Sequence, residues 1–226
     1  MTDKPGYRRP QEGTQPEYLH PDYQSTNRRS PSRPLVFLPH SLSEITGPTI
    51  GADRVDEKDN DLTAQHQGQP QGERIIVHGR VLDEDGQPVP GILVEIWQAN
   101  PAGRYRHPED KRELGLVPGF TGFGRVPTEG DGSFRFVTVK PGAVPDVEGR
   151  PQAPHIMVSV FMRGLVKHVA SRIYFPEETT ANAADGVLAL VPAERRATLI
   201  AQPNGQNSYR WDVVLQGAGE TVFFDI

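Results

Sequence analysis

Apolar residues fall along this chain in short runs, most of them close to strict alternation with polar ones. From Arg74 the string RIIVHGRVLDEDGQPVPGILVEIWQAN carries two β-branched runs, 75–82 and 92–97, joined by a DEDG turn and a proline pair. Runs of this length bounded by turn residues predict strands. Near-alternation returns in SFRFVTV (133–139), HIMVSVFM (155–162), SRIYF (171–175) and YRWDVVLQ (209–216), and TVFFDI (221–226) closes the chain. Seven or so short strands with Gly/Pro punctuation predict an all-β fold, a β-sandwich. One stretch, AERRATLIAQ (193–202), has helical composition and spacing. No repeat of solenoid or propeller period is present.

Upstream of Arg74 the pattern changes. Residues 1–34 are polar, proline-dotted and basic, with Arg8, Arg9, Arg28, Arg29 and Arg33. Such a segment cannot bury a core of its own. It reads either as a disordered tail or as an arm lying across another surface, and only the arm gives Tyr7, Tyr18 and Tyr23 a role, with the arginines clasping an acidic neighbour. A short apolar run, Leu35–Leu38, precedes the turn chemistry of SLSEITGPTIG (41–51), and residues 52–73 are polar and read as a surface loop. The expected division is an arm with loops over 1–73, suited to subunit contacts, and a β-sandwich over 74–226.

Composition narrows the chemistry. Glycine (23) and proline (22) make up a fifth of the 226 residues, which favours turns and short strands over helical bundles. The net charge of -5 gives no electrostatic reason to hold nucleic acid. The absence of cysteine excludes disulfides, thiolate-held metals and thiol nucleophiles. No apolar run is long enough to span a bilayer, and the N-terminus lacks the apolar core of a signal peptide, so the expected setting is soluble and cytoplasmic. The seven histidines (20, 40, 66, 78, 107, 155 and 168) form no HxH, HxxxH or HExxH array. Local motifs alone lead no further than a soluble all-β domain.

Longer words go further. ERIIVHGRVLDEDGQPVPGILVEIWQANPAGRYRH (73–107), GFGR (122–125), TVKPG (138–142), APHI (153–156) and RIYF (172–175) occur in the order and at the spacing of the intradiol ring-cleavage dioxygenases. The chain resembles that family over nearly its whole length, the PDYQS and SLSEITGP words of the arm included. The resemblance implies a β-sandwich carrying a mononuclear non-haem Fe(III) held by two tyrosines and two histidines. Phenolates are hard anionic donors that favour Fe(III), and the iron makes a chelated catechol reactive toward O₂.

Carried over residue by residue, the resemblance is incomplete. The first tyrosine of the family's ligand set matches Tyr105 in GRYRH. The second falls in a KPG-x-Tyr-Pro word, and this chain reads KPGAVP, with Val144 in the ligand's place. The histidine pair of an AHIH word matches His155 and Met157, and an arginine shortly before it is replaced by Gln152. A valine cannot coordinate iron, and a thioether is a soft donor ill-suited to Fe(III). Within the family, one enzyme is built from two homologous subunits of which only one holds iron. VKPGAVPDVEGRPQAPHI, VFMRGL, RIYFPEE and QGAGETVFFDI are similar to the metal-free subunit, whereas the first half is similar to the iron subunit, so the chain reads as a mosaic. In the metal-free subunit a TxGP turn and an F-x-R-G arginine approach the partner's substrate; here they match Thr46, Gly47, Pro48 and Arg163.

The implied cofactor is therefore Fe(III) in an assembled enzyme, with this chain holding little or none by itself. The implied partners are an iron-holding subunit or further copies of this chain, and a catechol-type aromatic acid. Plain structural roles compete with these. Tyr105 also suits packing, His155 an internal hydrogen bond, Arg163 a strand-end ion pair, and Trp97 and Tyr174 a core or an interface. Two further readings stay open: a weak iron dioxygenase using Tyr105, His155 and substitute ligands, and a non-catalytic β-sandwich serving as an assembly or binding module.

Overall fold

A computed structural model describes residues 21–34, 36, 54–68, 70–163, 165 and 167–226. The chain divides into two units, Met1–Thr46 and Gly47–Ile226. In the first, a single turn of helix, α1 (Gln24–Arg29), ends on Arg28 and Arg29, whose charges suit the negative end of the helix.

The second unit holds β1 (Arg74–Leu82), β2 (Leu93–Gln98), β3 (Phe123–Pro127), β4 (Ser133–Val139), β5 (Val144–Pro145), β6 (Pro151–Gln152), β7 (His155–Phe161) and β8 (Val169–Tyr174). Helices α2 (Thr179–Ala184) and α3 (Gly186–Leu190) follow, then a 3₁₀ segment (Ala193–Leu199) and the short strands β9 (Gln202–Pro203), β10 (Ser208–Arg210) and β11 (Val213–Val214). One sheet centres on β1, which pairs antiparallel with β4 and parallel with β10 and β11. The other runs β3-β2-β7-β8, antiparallel throughout. Strand alternation does the sorting: Ile75, Val77 and Val81 of the first sheet meet Val94, Ile96, Ile156, Val158, Val160 and Ile173 of the second in one core. Each such side chain contributes about 1.5–3 kcal/mol by leaving water. The expected all-β sandwich is the observed fold. Among the described residues no helix is long and apolar enough to cross a membrane.

One buried polar residue ties the two sheets. Gln98, at the inner end of β2, donates to the Val139 carbonyl at 2.8 Å and accepts from Thr138 Oγ1 at 2.8 Å. Both neighbours belong to β4, so the amide is satisfied across the sandwich rather than along its own sheet.

The structure departs from the sequence reading in four places. Residues 54–68 are more than a surface loop: Leu62 is fully buried, and its N–H bonds the Val137 carbonyl at 2.9 Å. The run 209–216 breaks into two strands, because the Asp212 carboxylate takes the Arg80 N–H at 2.9 Å and interrupts the ladder. TVFFDI makes one bridge, Phe224 to Ala170, rather than a strand. The tail crosses between sheets, with Thr221 N–H on Val214 and Phe224 N–H on Ala170, so no single partner strand accompanies it. The stretch 193–202 is helical as 3₁₀ only over Ala193–Leu199, while α2, α3 and β3 carry no strong periodic signal in the sequence.

Candidate functional site

The outward face of the second sheet carries the site. Register places Phe123, Trp97, Met157 and Arg172 in one row across β3, β2, β7 and β8, on the face opposite the core. The loop after β2 folds back over this row. Asn100 organises it, accepting the N–H groups of Ala102 and Arg104 at 3.0 Å each on its side-chain oxygen. Gly103, at φ +78, passes so close to the KPG segment that a Cβ there would lie 2.0 Å from the Ala143 carbonyl oxygen. Only glycine fits such a backbone. The loop then delivers Tyr105, whose N–H is held by Asp110 at 2.8 Å and whose ring stacks on Trp97 with centroids 5.7 Å apart. Burial pushes the Tyr105 phenol up from its ordinary value, against the opposing charges of Arg172 and Arg112.

His155 opens β7 and is 4% exposed. Its Nδ1 lies 2.7 Å from the Ala153 carbonyl oxygen, which can only accept, so Nδ1 carries the proton in the neutral ring. Burial, reinforced by the charge of Arg172, lowers its pKa to about 4. The internal hydrogen bond expected of a structural histidine is thus present.

At the positions expected to complete a metal site stands a different group. Arg172 donates from Nε to Met157 Sδ at 3.2 Å and from Nη1 to Gln152 Oε1 at 2.7 Å and the Tyr174 hydroxyl at 3.3 Å. Tyr174 in turn donates to Asp185 Oδ1 at 3.2 Å. Asp185, 1% exposed, also accepts from the N–H groups of Ala153 (2.8 Å), Val187 (2.9 Å) and Leu188 (2.9 Å), fixing the start of α3 beneath the site. Gln152 faces Val144 across the β5–β6 pair. An arginine of the neighbouring strand thus bonds the glutamine that stands where the resemblance places an arginine.

This donor set does not fit a trivalent iron. Val144 has no donor atom, the Met157 sulfur is engaged by Arg172, and that permanent cation also bonds Gln152 and the Tyr174 hydroxyl beside it. A cation brought beside that guanidinium is repelled, and more strongly in a part-buried setting than in water. Among the described residues no cluster of three or more His, Asp or Glu side chains has metal-binding geometry.

Beside the row lies an open cavity of about 920 Å³. Trp97 and Tyr105 form its aromatic wall and Val144 and Pro145 an apolar lip. His107, Lys111 and Arg112 rim it together with the carboxylates of Glu109 and Asp110. A second cavity, about 530 Å³ near His78 and Arg210, contains none of the residues singled out from the sequence.

The structure brings Tyr105, His155, Val144 and Met157 to one end of the sandwich and leaves Arg163 at the other. Arg163 sits in the exposed turn after β7, and that strand spans about 20 Å from its first residue to its last. The two sets cannot converge on one ligand within one chain. Thr46, Gly47 and Pro48 lie outside the described residues. Arg172 and Asp185 were missed in the sequence. Arg172 lies in the RIYF word, but its role depends on register with Met157 and Trp97.

Comparison with known proteins follows this geometry. The family model described as "Dioxygenase" matches residues 45–217, and "Protocatechuate 3,4-dioxygenase beta subunit N terminal" matches residues 7–41. The chain is 40% identical to the protocatechuate 3,4-dioxygenase beta chain of Burkholderia cepacia, covering 91% of this chain and 92% of that one. It is 43% identical to the alpha chain of the same organism, covering 83% and 87%. Similar identity to both subunit types accords with the mosaic read from the sequence. Among solved structures, an intradiol ring-cleavage dioxygenase from Tetranychus urticae superposes with a TM-score of 0.53 at 21% identity, covering 69% of this chain and 84% of that one. The dioxygenase domain of a carbohydrate-binding fusion from Streptomyces sp. SirexAA-E gives 0.51 at 24% identity, covering 77% and 97%, and shares the fold.

Proposed function

Because the chain belongs to the intradiol ring-cleavage dioxygenases, we propose that it is a subunit of a protocatechuate 3,4-dioxygenase that completes the substrate pocket of an iron-holding partner. The assembled enzyme converts 3,4-dihydroxybenzoate and O₂ to 3-carboxy-cis,cis-muconate. The bond between the two hydroxyl-bearing carbons breaks and both oxygen atoms enter the product. The observation that carries this reading is the Arg172 guanidinium bonded to Met157 and Gln152, the positions matching a histidine ligand and the arginine before it. This chain leaves the iron to its partner.

In that assembly Arg163 serves the neighbour's pocket, and so, by the resemblance, do Thr46, Gly47 and Pro48. A guanidinium matches the substrate carboxylate in charge and in its forked geometry. The opposite placement of Arg163 and Tyr105 on the sandwich suits a contact in which each chain offers one end to the other. The arm over 1–73 serves as a clamp on the partner.

The test is to purify the chain alone and co-expressed with an iron-holding homologue, measuring iron content, visible absorbance and oxygen uptake with 3,4-dihydroxybenzoate. The expected result is a colourless chain that joins a red, active complex, in which Arg163→Gln raises KM for the carboxylated catechol far more than for catechol. A chain that is red and active by itself would overturn the reading.

A further inference from the structure

The loop between β9 and β10 carries the chain's one Asn-Gly step, Asn204–Gly205. It closes as a short exposed hairpin, with the Asn204 N–H on the Ser208 carbonyl at 2.7 Å. Among the described residues the Gly205 N–H makes no hydrogen bond. Gly205 adopts φ +98, and a Cβ built on it would meet nothing within 4 Å. Its nitrogen is exposed, uncommitted and unshielded by any side chain, and its attack on the Asn204 amide carbon closes a succinimide ring. Asn60, Asn100 and Asn182 lack this combination. The N–H that follows Asn60 donates to the Lys58 carbonyl at 3.0 Å, Asn100 precedes a proline with no N–H, and Asn182 lies within α2.

The Asn204 side chain lines the cavity of about 530 Å³ on the outward side of the first sheet. Its Nδ2 lies 2.7 Å from His78 Nε2. An amide nitrogen only donates, so Nε2 carries the lone pair of a neutral imidazole. Register sets His78 of β1 between Arg210 of β10 and Arg135 of β4. Asp212 holds Arg210 through both carboxylate oxygens, and Arg80 and Glu129 complete the charged lining. Burial, then Arg210, lowers the His78 pKa, with Asp212 pulling the other way. A carboxylate in place of the amide sets an acceptor against the Nε2 lone pair and adds a negative charge beside the ring. Both effects drive a proton onto Nε2.

We propose that Asn204 is a self-modifying site, which loses its amide by cyclisation onto the Gly205 nitrogen, and that its aspartate form pairs with His78. The Gly205 nitrogen attacks Asn204 Cγ as its proton passes to solvent. The Cγ–Nδ2 bond breaks, and the departing nitrogen takes up a proton and leaves as ammonia. Water then opens the succinimide at either carbonyl, giving aspartate or its isomer with the chain running through the former side-chain carboxyl. The net change is the gain of a water and the loss of an ammonia, with no redox partner. The modification is irreversible, and it turns a neutral contact on the face of the sheet into an ion pair. It is independent of iron and of the subunit assignment.

The experiment is incubation of the folded full-length chain at pH 7.5 and pH 9 in heavy-oxygen water, followed by peptide mass mapping. The peptide holding Asn204 is expected to exchange its amide for an acid and to take up heavy oxygen, ahead of every other asparagine. The change should run faster at pH 9, where the attacking nitrogen loses its proton more readily. Gly205→Ala adds a side chain beside that nitrogen and disfavours φ +98, so it should slow the loss about tenfold or more, a barrier higher by about 1.4 kcal/mol. In Asn204→Asp the His78 ring, followed by NMR, should titrate above its wild-type value. An Asn204 amide that persists in the folded chain, or is lost no faster than that of Asn207, would overturn the cyclisation without any variant. A His78 that titrates in Asn204→Asp as it does in the wild type would overturn the ion pair.

Discussion

Replacing His155 with glutamine and following stability against pH tests the account of the histidine end of the site. In the folded chain the His155 pKa is lowered to about 4, first by burial and then by Arg172, with the Ala153 carbonyl and Asp185 pulling the other way. In the unfolded chain it returns to its ordinary value of about 6.5. Between these values the unfolded state binds a proton that the folded state does not, so stability rises with pH across that window. The contribution is complete above the unfolded value and is lost as pH falls toward the folded one. The full loss is about 3 kcal/mol, and about 2 kcal/mol of it is gone by pH 5. Urea denaturation of both proteins at pH 7.5, 6 and 5 is the assay. Acidic groups elsewhere affect both alike, so the wild-type advantage over His155→Gln should shrink by about 2 kcal/mol between pH 7.5 and pH 5. A constant difference, or an imidazole that titrates near its ordinary value by NMR, would refute the reasoning.

Other perturbations have equally definite outcomes. Gly79→Ala would place a Cβ 1.8 Å from the Trp211 carbonyl oxygen, prising β1 from the segment linking β10 and β11; a loss of about 3 kcal/mol in urea denaturation is expected. Asp185→Asn keeps the shape but replaces an oxygen by a donor among four groups that all donate to it. It should cost about 2–4 kcal/mol and lower Tm, and an unchanged Tm would contradict the network. Val144→Tyr with Met157→His should restore iron only substoichiometrically while Arg172 remains. Adding Arg172→Gln should raise both the metal content and the phenolate-to-iron absorbance, and full loading of the double variant would show that the guanidinium does not keep iron out.

The sandwich was legible in the sequence because its strands are locally encoded: a period of two in IIVHGRV, SFRFVTV and HIMVSVF separates core from surface whatever the strands pair with. The same string fixed which side chains cannot bind metal, since Val144 has no donor atom in any fold. Its errors fell where a tertiary contact overrode local pattern. A carboxylate from Asp212 broke one strand, a crossing between sheets reduced TVFFDI to a single bridge, and a core position for Leu62 turned a polar loop into part of the domain. What stands in place of the missing ligands was a question of register. Arg172 reads in sequence as one outward residue of an edge strand, and only the pairing of β7 with β8 and β2 sets it against Met157 and in line with Trp97. The separation of Arg163 from Tyr105 is likewise a property of one strand's length and direction in the assembled sheet. Side-chain chemistry is written residue by residue, but the distance between two such groups exists only once the sheet has formed.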